Sequence, residues 1–312
     1  MFPEDFTDPT RAKINALKAA AKILRFIEKK GIYKIAGVKR IINIKIGVNC
    51  GNLCSIFAGN EAERKEYFIT GAVLNELATA ESIAGKSQIV ITENIKRILN
   101  LNSGLTVIQK KFYLIDTADI YALPEKQTDV IRASIKKSNS GISRSEIILS
   151  KIIPFIPRQL FKKIALYGEN DELFSRFRKV SAVFVNLFGL NEMAERGATC
   201  SCNIIYTAAE IYFAKMHRIA DKYNGVFLRS DICKTGDKFL IVFGAPASND
   251  NDDLLALKFA IELRIMLKEL NREIAKRCTS KFEKCVLSQK IGLNTGEAFC
   301  GITGARHRKE YT

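Results

Sequence analysis

The chain has 312 residues, 47% of them hydrophobic and 26% charged, and a formal net charge of +16. This length and composition predict about two globular domains with buried cores. No apolar run reaches the ~18 residues that a membrane-spanning helix needs, and residues 1–5, Met-Phe-Pro-Glu-Asp, lack the basic and apolar regions of a signal peptide. We therefore expect a cytoplasmic protein, free or peripherally bound to a membrane.

The basic charge and the cysteines each have a specialised and an ordinary explanation. A basic surface attracts nucleic acid, anionic lipid or a polyphosphate substrate, but many Lys and Arg residues lie along one helix near the N-terminus, where a solvated face explains most of them. None of the eight cysteines forms a CxxC pair, and His217 and His307 are the only histidines. Buried, reduced thiols are therefore favoured over zinc or disulfides, and we do not expect nucleic acid as a partner.

The first part of the chain combines helix and strand patterns. Asp8 followed by Pro9 is typical of a helix start. The next elements are expected to be a helix over 71–84, a strand over 87–91, a helix capped by Thr92, and short strands near 105–123. A linker over 125–178 follows. Its early part is polar and basic, whereas the apolar residues 152–157 are expected to pack on the domains.

The last part of the chain has the pattern β-α-β-β-α-β. Residues 180–188 form an apolar, β-branched run typical of a buried strand, and residues 203–224 carry apolar side chains at helical spacing. The order is completed by a hairpin over 226–233 and 238–243, a helix from Asp252 or Asp253 to about residue 277, a strand over 286–294, a turn at Thr295-Gly296 and a strand to 303. This arrangement predicts an α+β fold with ferredoxin-like βαββαβ domains.

An internal repeat is the most informative feature of the sequence. The segment Lys-Ile-Gly-Val-Asn-Cys-Gly at 45–51 recurs as Lys-Ile-Gly-Leu-Asn-Thr-Gly at 290–296. In the same order along the chain, Ala-Leu-Lys at 16–18 recurs at 256–258, and Arg-Lys-Glu-Tyr at 64–67 recurs at 308–311. The offsets lie between 240 and 245 residues, which indicates two copies of one domain in tandem.

Neither copy is complete. We expect residues 1–124 to be the C-terminal part of the first domain, residues 125–178 the linker, and residues 179–312 the N-terminal part of the second domain. The first copy has no counterpart of residues 180–242, and the second has no counterpart of residues 69–124. The two copies are expected to pair within the chain.

Several segments resemble the class III nucleotidyl cyclases, and the soluble adenylyl cyclase branch in particular. Residues 180–189, with Val-Phe-Val-Asn-Leu, are similar to the strand that opens the cyclase domain, and residues 235–244, Thr-Gly-Asp-Lys-Phe-Leu-Ile-Val-Phe-Gly, to the hairpin that follows. Residues 301–312 resemble the segment that leads to the base-recognition residue, and residues 69–75 the helix entry after it. The resemblance covers nearly the whole chain outside the early linker, and it is supported by the order, spacing and duplication of these segments.

The resemblance implies an adenylate cyclase, which converts ATP to cyclic AMP and pyrophosphate in cyclic-nucleotide signalling. In this family two Asp residues hold Mg²⁺ or Mn²⁺, and an Asn and an Arg from the partner domain support the ribose and the transition state. The second copy keeps Asp237, which is also consistent with a turn residue of the hairpin, but has Asn186 in place of the other Asp. In the first copy Asn75 fits the family's Asn, whereas Thr79 stands at the Arg position and cannot supply a fixed charge.

These losses are complementary, because a pseudo-symmetric pair has two interface sites and needs only one. The second copy is expected to supply the base-binding half through Thr312, whereas the first copy has Phe68 at that position and is expected to carry its metal-binding carboxylates before Met1. Lys234 is either the lysine that contacts adenine or a solvated hairpin lysine. Ala78 replaces the Arg through which the branch binds bicarbonate, which puts a bicarbonate response in doubt.

Three functions therefore remain open. The chain is an incomplete part of an adenylate cyclase, a catalytically inactive pseudocyclase that acts as a nucleotide-binding or regulatory module, or a basic protein that binds nucleic acid or acidic lipid. In each case we expect no cyclic AMP from the chain alone.

Overall fold

A computed structural model describes residues 10–60, 64–124, 144–168, 175–195, 202–232, 236–277, 286–305 and 308–312. The helices in this part of the chain are α1 (Arg11–Lys30), α2 (Ala72–Ile83), α3 (Glu93–Ile98), α4 (Thr117–Ala122), α5 (Arg144–Ile152), α6 (Arg158–Tyr167), α7 (Leu190–Glu195), α8 (Cys202–Lys222) and α9 (Asp252–Arg277). Contacts divide the chain into two compact units, residues 1–53 with 72–135, and residues 54–71 with 136–312.

Among the described strands, those of the first copy have four to seven residues, and the two longest, with 13 residues each, lie in the second copy. They are β1 (Ile32–Ile35), β2 (Val38–Ile41), β3 (Lys45–Val48), β4 (Cys54–Asn60), β5 (Arg64–Thr70), β6 (Gln88–Thr92), β7 (Leu105–Gln109), β8 (Phe112–Ile115), β9 (Arg176–Phe188), β10 (Val226–Ile232), β11 (Asp237–Phe243), β12 (Ser288–Cys300), β13 (Ile302–Ala305) and β14 (Arg308–Tyr311).

The second unit contains the ferredoxin-like arrangement that the sequence predicts. Its four-stranded sheet has the order β10-β11-β9-β12, and all three pairings are antiparallel. Along the chain, the major elements follow as β9, α8, β10, β11, α9 and β12, which is the βαββαβ order. Alternate residues of β9, Val183, Val185 and Leu187, are fully buried against a core that includes Phe213 and Phe259.

The prediction of a turn at Thr295-Gly296 is wrong. β12 runs without interruption through both residues, because β9 pairs with it from Phe188, opposite Ser288, to Arg176, opposite Cys300. The Thr295 and Ser181 hydroxyl oxygens lie 2.7 Å apart across this pairing. β12 ends at Cys300, and β13 and β14, which follow it, pair as an antiparallel hairpin.

The β4–β5 hairpin belongs to the second unit although its sequence lies in the first copy. Ile56, Ala58 and Phe68 are buried in the same core as α8, and the ring centroids of Phe68 and Phe213 are 4.8 Å apart. The apolar part of the linker packs on this hairpin outside the core, since the Phe155 ring lies 6.1 Å from that of Phe57. One copy therefore donates a hairpin to the core of the other.

The first unit is built on a mixed sheet of order β3-β6-β8-β7, in which only β3 and β6 are parallel. Helix α1 covers it with Leu17 and Leu24, which pack in a cluster with Ile120 of α4. The prediction of short strands near 105–123 is confirmed by β7 and β8. It is wrong at its C-terminal end, where burial of Ile120 against α1 favours helix α4. Thr92 precedes α3 as expected, but its hydroxyl bonds Asn49 Oδ1 at 2.5 Å and makes no capping hydrogen bond.

The β1–β2 hairpin has no counterpart among the elements that the sequence predicts. It follows α1 directly and pairs Ile32 with Ile41 and Ile35 with Val38.

None of the described helices is both long and apolar enough to cross a lipid bilayer.

Candidate active site

The structure brings Asn186 and Asp237 together at one end of the second unit's sheet. Asn186 lies near the end of β9 and pairs with Lys238, and Asp237 begins β11 opposite Leu187. Gly236 precedes it with a φ of 84°, and a Cβ atom there would lie 3.0 Å from Asn186 Oδ1 and 2.4 Å from the Leu187 carbonyl oxygen. Only glycine fits this close approach in a left-handed conformation, so Gly236 lets the start of β11 pack closely against the end of β9 that carries Asn186.

The Asp237 carboxyl is buried, with 5% of the residue exposed. Burial, together with a smaller contribution from the negative charge of Glu192, raises the pKa of Asp237 to about 7. Glu192 itself accepts a hydrogen bond of 2.7 Å from the Gly189 backbone N–H at the start of α7. Near neutral pH the carboxyl is therefore close to half protonated, and a bound cation would favour its charged form.

The residues at this position do not fit a two-metal centre. An amide oxygen from Asn186 and one carboxylate from Asp237 offer a single negative charge, whereas two divalent cations need several hard anionic ligands. Within the described ranges, no group of three or more His, Cys, Asp or Glu residues could hold a metal ion. The chain therefore supplies one carboxylate here where the resemblance implies two.

In the first copy, Asn75 and Thr79 lie one turn apart on α2. The Thr79 hydroxyl donates a hydrogen bond of 2.8 Å to the Asn75 carbonyl oxygen, so its oxygen is turned back onto its own helix. Threonine at this position carries no charge that could reach a phosphate. Ala78, beside it, is partly buried and offers only a methyl group.

The two copies differ sharply at the expected base-recognition position. Phe68 is 5% exposed and packs in the aromatic core of the second unit. Its counterpart Thr312 is exposed, and its backbone exchanges hydrogen bonds of 2.8 and 2.9 Å with Gly301. Gly301 follows the end of β12 that is remote from Lys290, the partner of Asn186. Thr312 and Asp237 therefore belong to different ends of the sheet, and Lys234 lies outside the described residues.

A buried charged cluster fixes the β4–β5 hairpin to α8, and sequence reasoning missed it. The Arg64 guanidinium donates two hydrogen bonds to Glu66 Oε1, at 2.9 Å from Nε and 2.6 Å from Nη2. His217 Nε2 lies 3.7 Å from the same oxygen and is almost fully buried. Burial raises the pKa of Glu66, whereas burial and the Arg64 charge lower the pKa of His217 to about 3. Only the recurrence of Arg-Lys-Glu-Tyr signalled this cluster.

Comparison with known proteins agrees with this fold. The family model of the adenylate and guanylate cyclase catalytic domain matches residues 7–127 and 173–312. The chain belongs to this family. The match in two segments also agrees with the tandem partial domains that the repeat indicates.

Relatives and solved structures of this cyclase chain are distant. Adenylate cyclase type 10 of Rattus norvegicus is 23% identical over 295 residues, and that of Homo sapiens is 21% identical over 287 residues. Each alignment covers 87% of this chain, and the chain spans only 16% of the length of these relatives.

Two solved cyclases are similar over about half of the chain. The adenylyl cyclase CyaB from P. aeruginosa has 24% identity and a TM-score of 0.38, covering 44% of this chain and 66% of that chain. A bacterial light-regulated adenylyl cyclase has 18% identity and a TM-score of 0.41, covering 54% of this chain and 44% of that chain. The family assignment rests on the matched sequence segments.

Proposed function

We propose that the chain is part of an adenylate cyclase, in which its second copy recognises the nucleotide base rather than supplying the metal centre. The observation that supports this proposal most strongly is the difference between Thr312 and Phe68 at equivalent positions. Thr312 is exposed and has a hydroxyl that can donate and accept hydrogen bonds, whereas Phe68 is a core residue. The resemblance to adenylate cyclase type 10 favours ATP over GTP as the nucleotide.

Cyclisation of ATP needs attack of the ribose 3′ oxygen on the α-phosphate and departure of pyrophosphate. The complete enzyme would use Mg²⁺ or Mn²⁺ for this step, but Asn186 and Asp237 do not provide the ligands for it. Within the proposal, Thr312 orients the base, Lys234 is a further candidate for adenine contact, and Asn75 for ribose contact. Intramolecular pairing of the two copies would complete the interface, and the location would be cytoplasmic, free or peripheral to a membrane.

A catalytically inactive pseudocyclase is the second candidate. It is favoured by the loss of charge at both Asn186 and Thr79, since each removes one group that the family uses for chemistry. Such a module would bind nucleotide or regulate a partner without turnover. Sustained cyclic AMP formation by the purified chain with ATP and Mn²⁺ would exclude it, and would also contradict our expectation that this chain alone is inactive.

Nucleotide titration tests the role of Thr312. We expect the 312-residue chain to bind a fluorescent ATP analogue more tightly than the GTP analogue. Thr312→Ala should weaken ATP binding about fivefold, because it removes one hydrogen bond worth about 1 kcal/mol. Thr303→Ala removes a hydroxyl from another exposed residue, on β13, and should change nothing. Preference for GTP, or equal losses in the two variants, would refute the proposed base contact.

A further inference from the structure

The β1–β2 hairpin exposes apolar side chains that no described residue of the first unit covers. Every residue from 32 to 43 is exposed. The exposed fractions are largest near the tip of the hairpin and at its base, with 64% for Ile35, 51% for Val38 and 58% for Ile41. Isolated exposed apolar residues are common, but a folded element that is apolar and exposed over its whole length marks a contact surface.

The hairpin has a defined shape. Its strands pair in register over four residue pairs, and Ala36 and Gly37 form a two-residue turn in which both φ angles are positive, 48° and 79°. This turn matches the twist of a tight hairpin. The Ile42 N–H donates a hydrogen bond of 2.8 Å to the Gly31 carbonyl oxygen and closes the base at the end of α1. Ile35 and Val38 are therefore held side by side at the tip.

The charge around the tip has one sign only. No Asp or Glu occurs from Lys29 to Asn60. Within this segment Lys34 pairs across the hairpin with Lys39, immediately behind the tip, and Arg40 pairs with Tyr33. An apolar tip surrounded by cations is complementary to a surface that is apolar inside and anionic outside.

The internal repeat explains some other exposed apolar residues of the first unit, but not the hairpin. Ile23 and Phe26 of α1 are 54% and 62% exposed, and their counterparts in the second copy, Leu263 and Met266, are buried. These α1 residues therefore correspond to a core face of the domain. The offsets of the repeat place the counterpart of the hairpin within residues 272–286, and residues 278–285 lie outside the described ranges.

We propose that the β1–β2 hairpin docks the chain onto an anionic lipid bilayer. Ile35 and Val38 enter the boundary between headgroups and acyl chains, while Lys34, Lys39 and Arg40 contact the anionic headgroups. Nucleic acid would use the same cations but would gain little from aliphatic side chains at the tip. The hairpin contains none of the candidate active-site residues.

Vesicle binding by the full chain tests this proposal. We expect co-sedimentation with vesicles of phosphatidylcholine containing about 30% phosphatidylserine, weakened by salt because the Debye length shortens, and little binding to phosphatidylcholine alone. Lys34→Gln with Lys39→Gln should weaken binding about 30-fold, from about 1 kcal/mol per cation. The matched control is Lys268→Gln with Lys276→Gln, which removes the same charge from exposed positions of α9.

The apolar contribution needs its own pair of variants. Ile35→Ser with Val38→Ser should weaken binding at least about tenfold, since both side chains lose transfer into the bilayer, whereas Leu254→Ser with Ile261→Ser on the exposed face of α9 should not. All four positions are exposed, so the fold should survive, and circular dichroism verifies it. Equal losses in the two pairs, or unchanged binding in the hairpin pair, would overturn the proposal.

A spectroscopic probe distinguishes insertion from simple charge attraction. The sequence contains no Trp, so Ile35→Trp places a single indole at the tip. We expect its emission to shift to the blue with the anionic vesicles, and that of Leu254→Trp to stay unchanged. No shift at position 35, or tighter binding to an RNA oligonucleotide that is insensitive to the serine substitutions, would contradict membrane docking.

Discussion

Helices α1 and α9 are equivalent elements of the two copies, yet they bury opposite faces. Leu17 of α1 is fully buried, whereas Leu257, its counterpart in the repeated Ala-Leu-Lys segment, is 49% exposed. Ile14 and Ala21 are buried, and the residues 240 positions later, Leu254 and Ile261, are 46% and 52% exposed.

The reverse holds on the other side of the same helices. Ile23 and Phe26 are exposed in α1, but Leu263 and Met266 are buried in α9. Both helices are therefore apolar on two faces, as expected of an element that lies between two parts of one domain. Each unit contains a different part, so each covers a different face. The exposed stripe of one copy shows where the other copy has its core.

The largest expected effect comes from the leucines at the repeated position. Leu17→Ala should destabilise the first unit by about 2–5 kcal/mol, because it removes a fully buried side chain and leaves a cavity. Leu257→Ala should change the free energy of unfolding by no more than about 0.5 kcal/mol. Urea denaturation followed by circular dichroism measures both. Similar losses would mean that the exposed face of α9 is covered in solution.

The buried carboxyl of Asp237 should make stability depend on pH. Its pKa is raised from 3.8 to about 7 in the folded state, so the folded chain binds more protons than the unfolded chain between these values. Stability should therefore be highest near pH 4 and fall, by up to about 3 kcal/mol, as the pH rises to about 7.

Asp237→Asn removes this titration and supplies the control. Thermal unfolding of the variant should be flatter over the same pH range than that of the unaltered chain. A wild-type stability that instead rises between pH 4 and 7 by this amount, and loses the rise in the variant, would show that Asp237 is charged and paired in the fold.

The two Arg-Lys-Glu-Tyr segments offer a third contrast. Glu66→Gln should cost about 2 kcal/mol, because it weakens two charge-assisted hydrogen bonds and leaves the buried Arg64 without a counter-charge. Glu310→Gln, at the exposed equivalent position in β14, should cost less than about 0.5 kcal/mol. Chemical denaturation measures the free energy of unfolding of both variants. A larger loss for Glu310→Gln would contradict the assignment of the buried charged cluster to the first copy's Arg-Lys-Glu-Tyr segment.

The smallest effect is expected within α2. Thr79→Ala removes only the bond from its hydroxyl to the Asn75 carbonyl, and alanine has the higher helix propensity, so stability should change by less than about 0.5 kcal/mol. Thr92→Val should cost about 1 kcal/mol, because it breaks the buried bond to Asn49. A thermal melt distinguishes them, and a costly Thr79→Ala would indicate a further role for that hydroxyl.

Much of the fold was predictable because its signals are local. The apolar run of β9, the helical spacing of α8 and the cap of α9 lie within single segments, and they predict the βαββαβ order. The prediction of a turn at Thr295-Gly296 is wrong because continuous pairing with β9 overrides a local turn signal. The β1–β2 hairpin was missed because its apolar residues face solvent and contribute to no core.

The candidate site was predictable in part. The resemblance identifies Asn186 and Asp237, and the strand register shows that both belong to the same end of the sheet. Arg64, Glu66 and His217 were not predictable as a cluster, because they come from two copies and the contact between them depends on tertiary packing. Sequence spacing contains no information on a hairpin that packs in the other copy's core.

Binding of Mn²⁺ to the Asn186→Asp variant is the most direct test of the central claim, that the second copy keeps the framework of a metal site but lacks one carboxylate. Electron paramagnetic resonance of free Mn²⁺ measures the affinity, with Asn186→Asp combined with Asp237→Asn as the control. We predict that Asn186→Asp binds Mn²⁺ at least about tenfold more tightly than the unaltered chain and that the control does not. Tight binding by the unaltered chain, or no gain in the variant, would contradict the account.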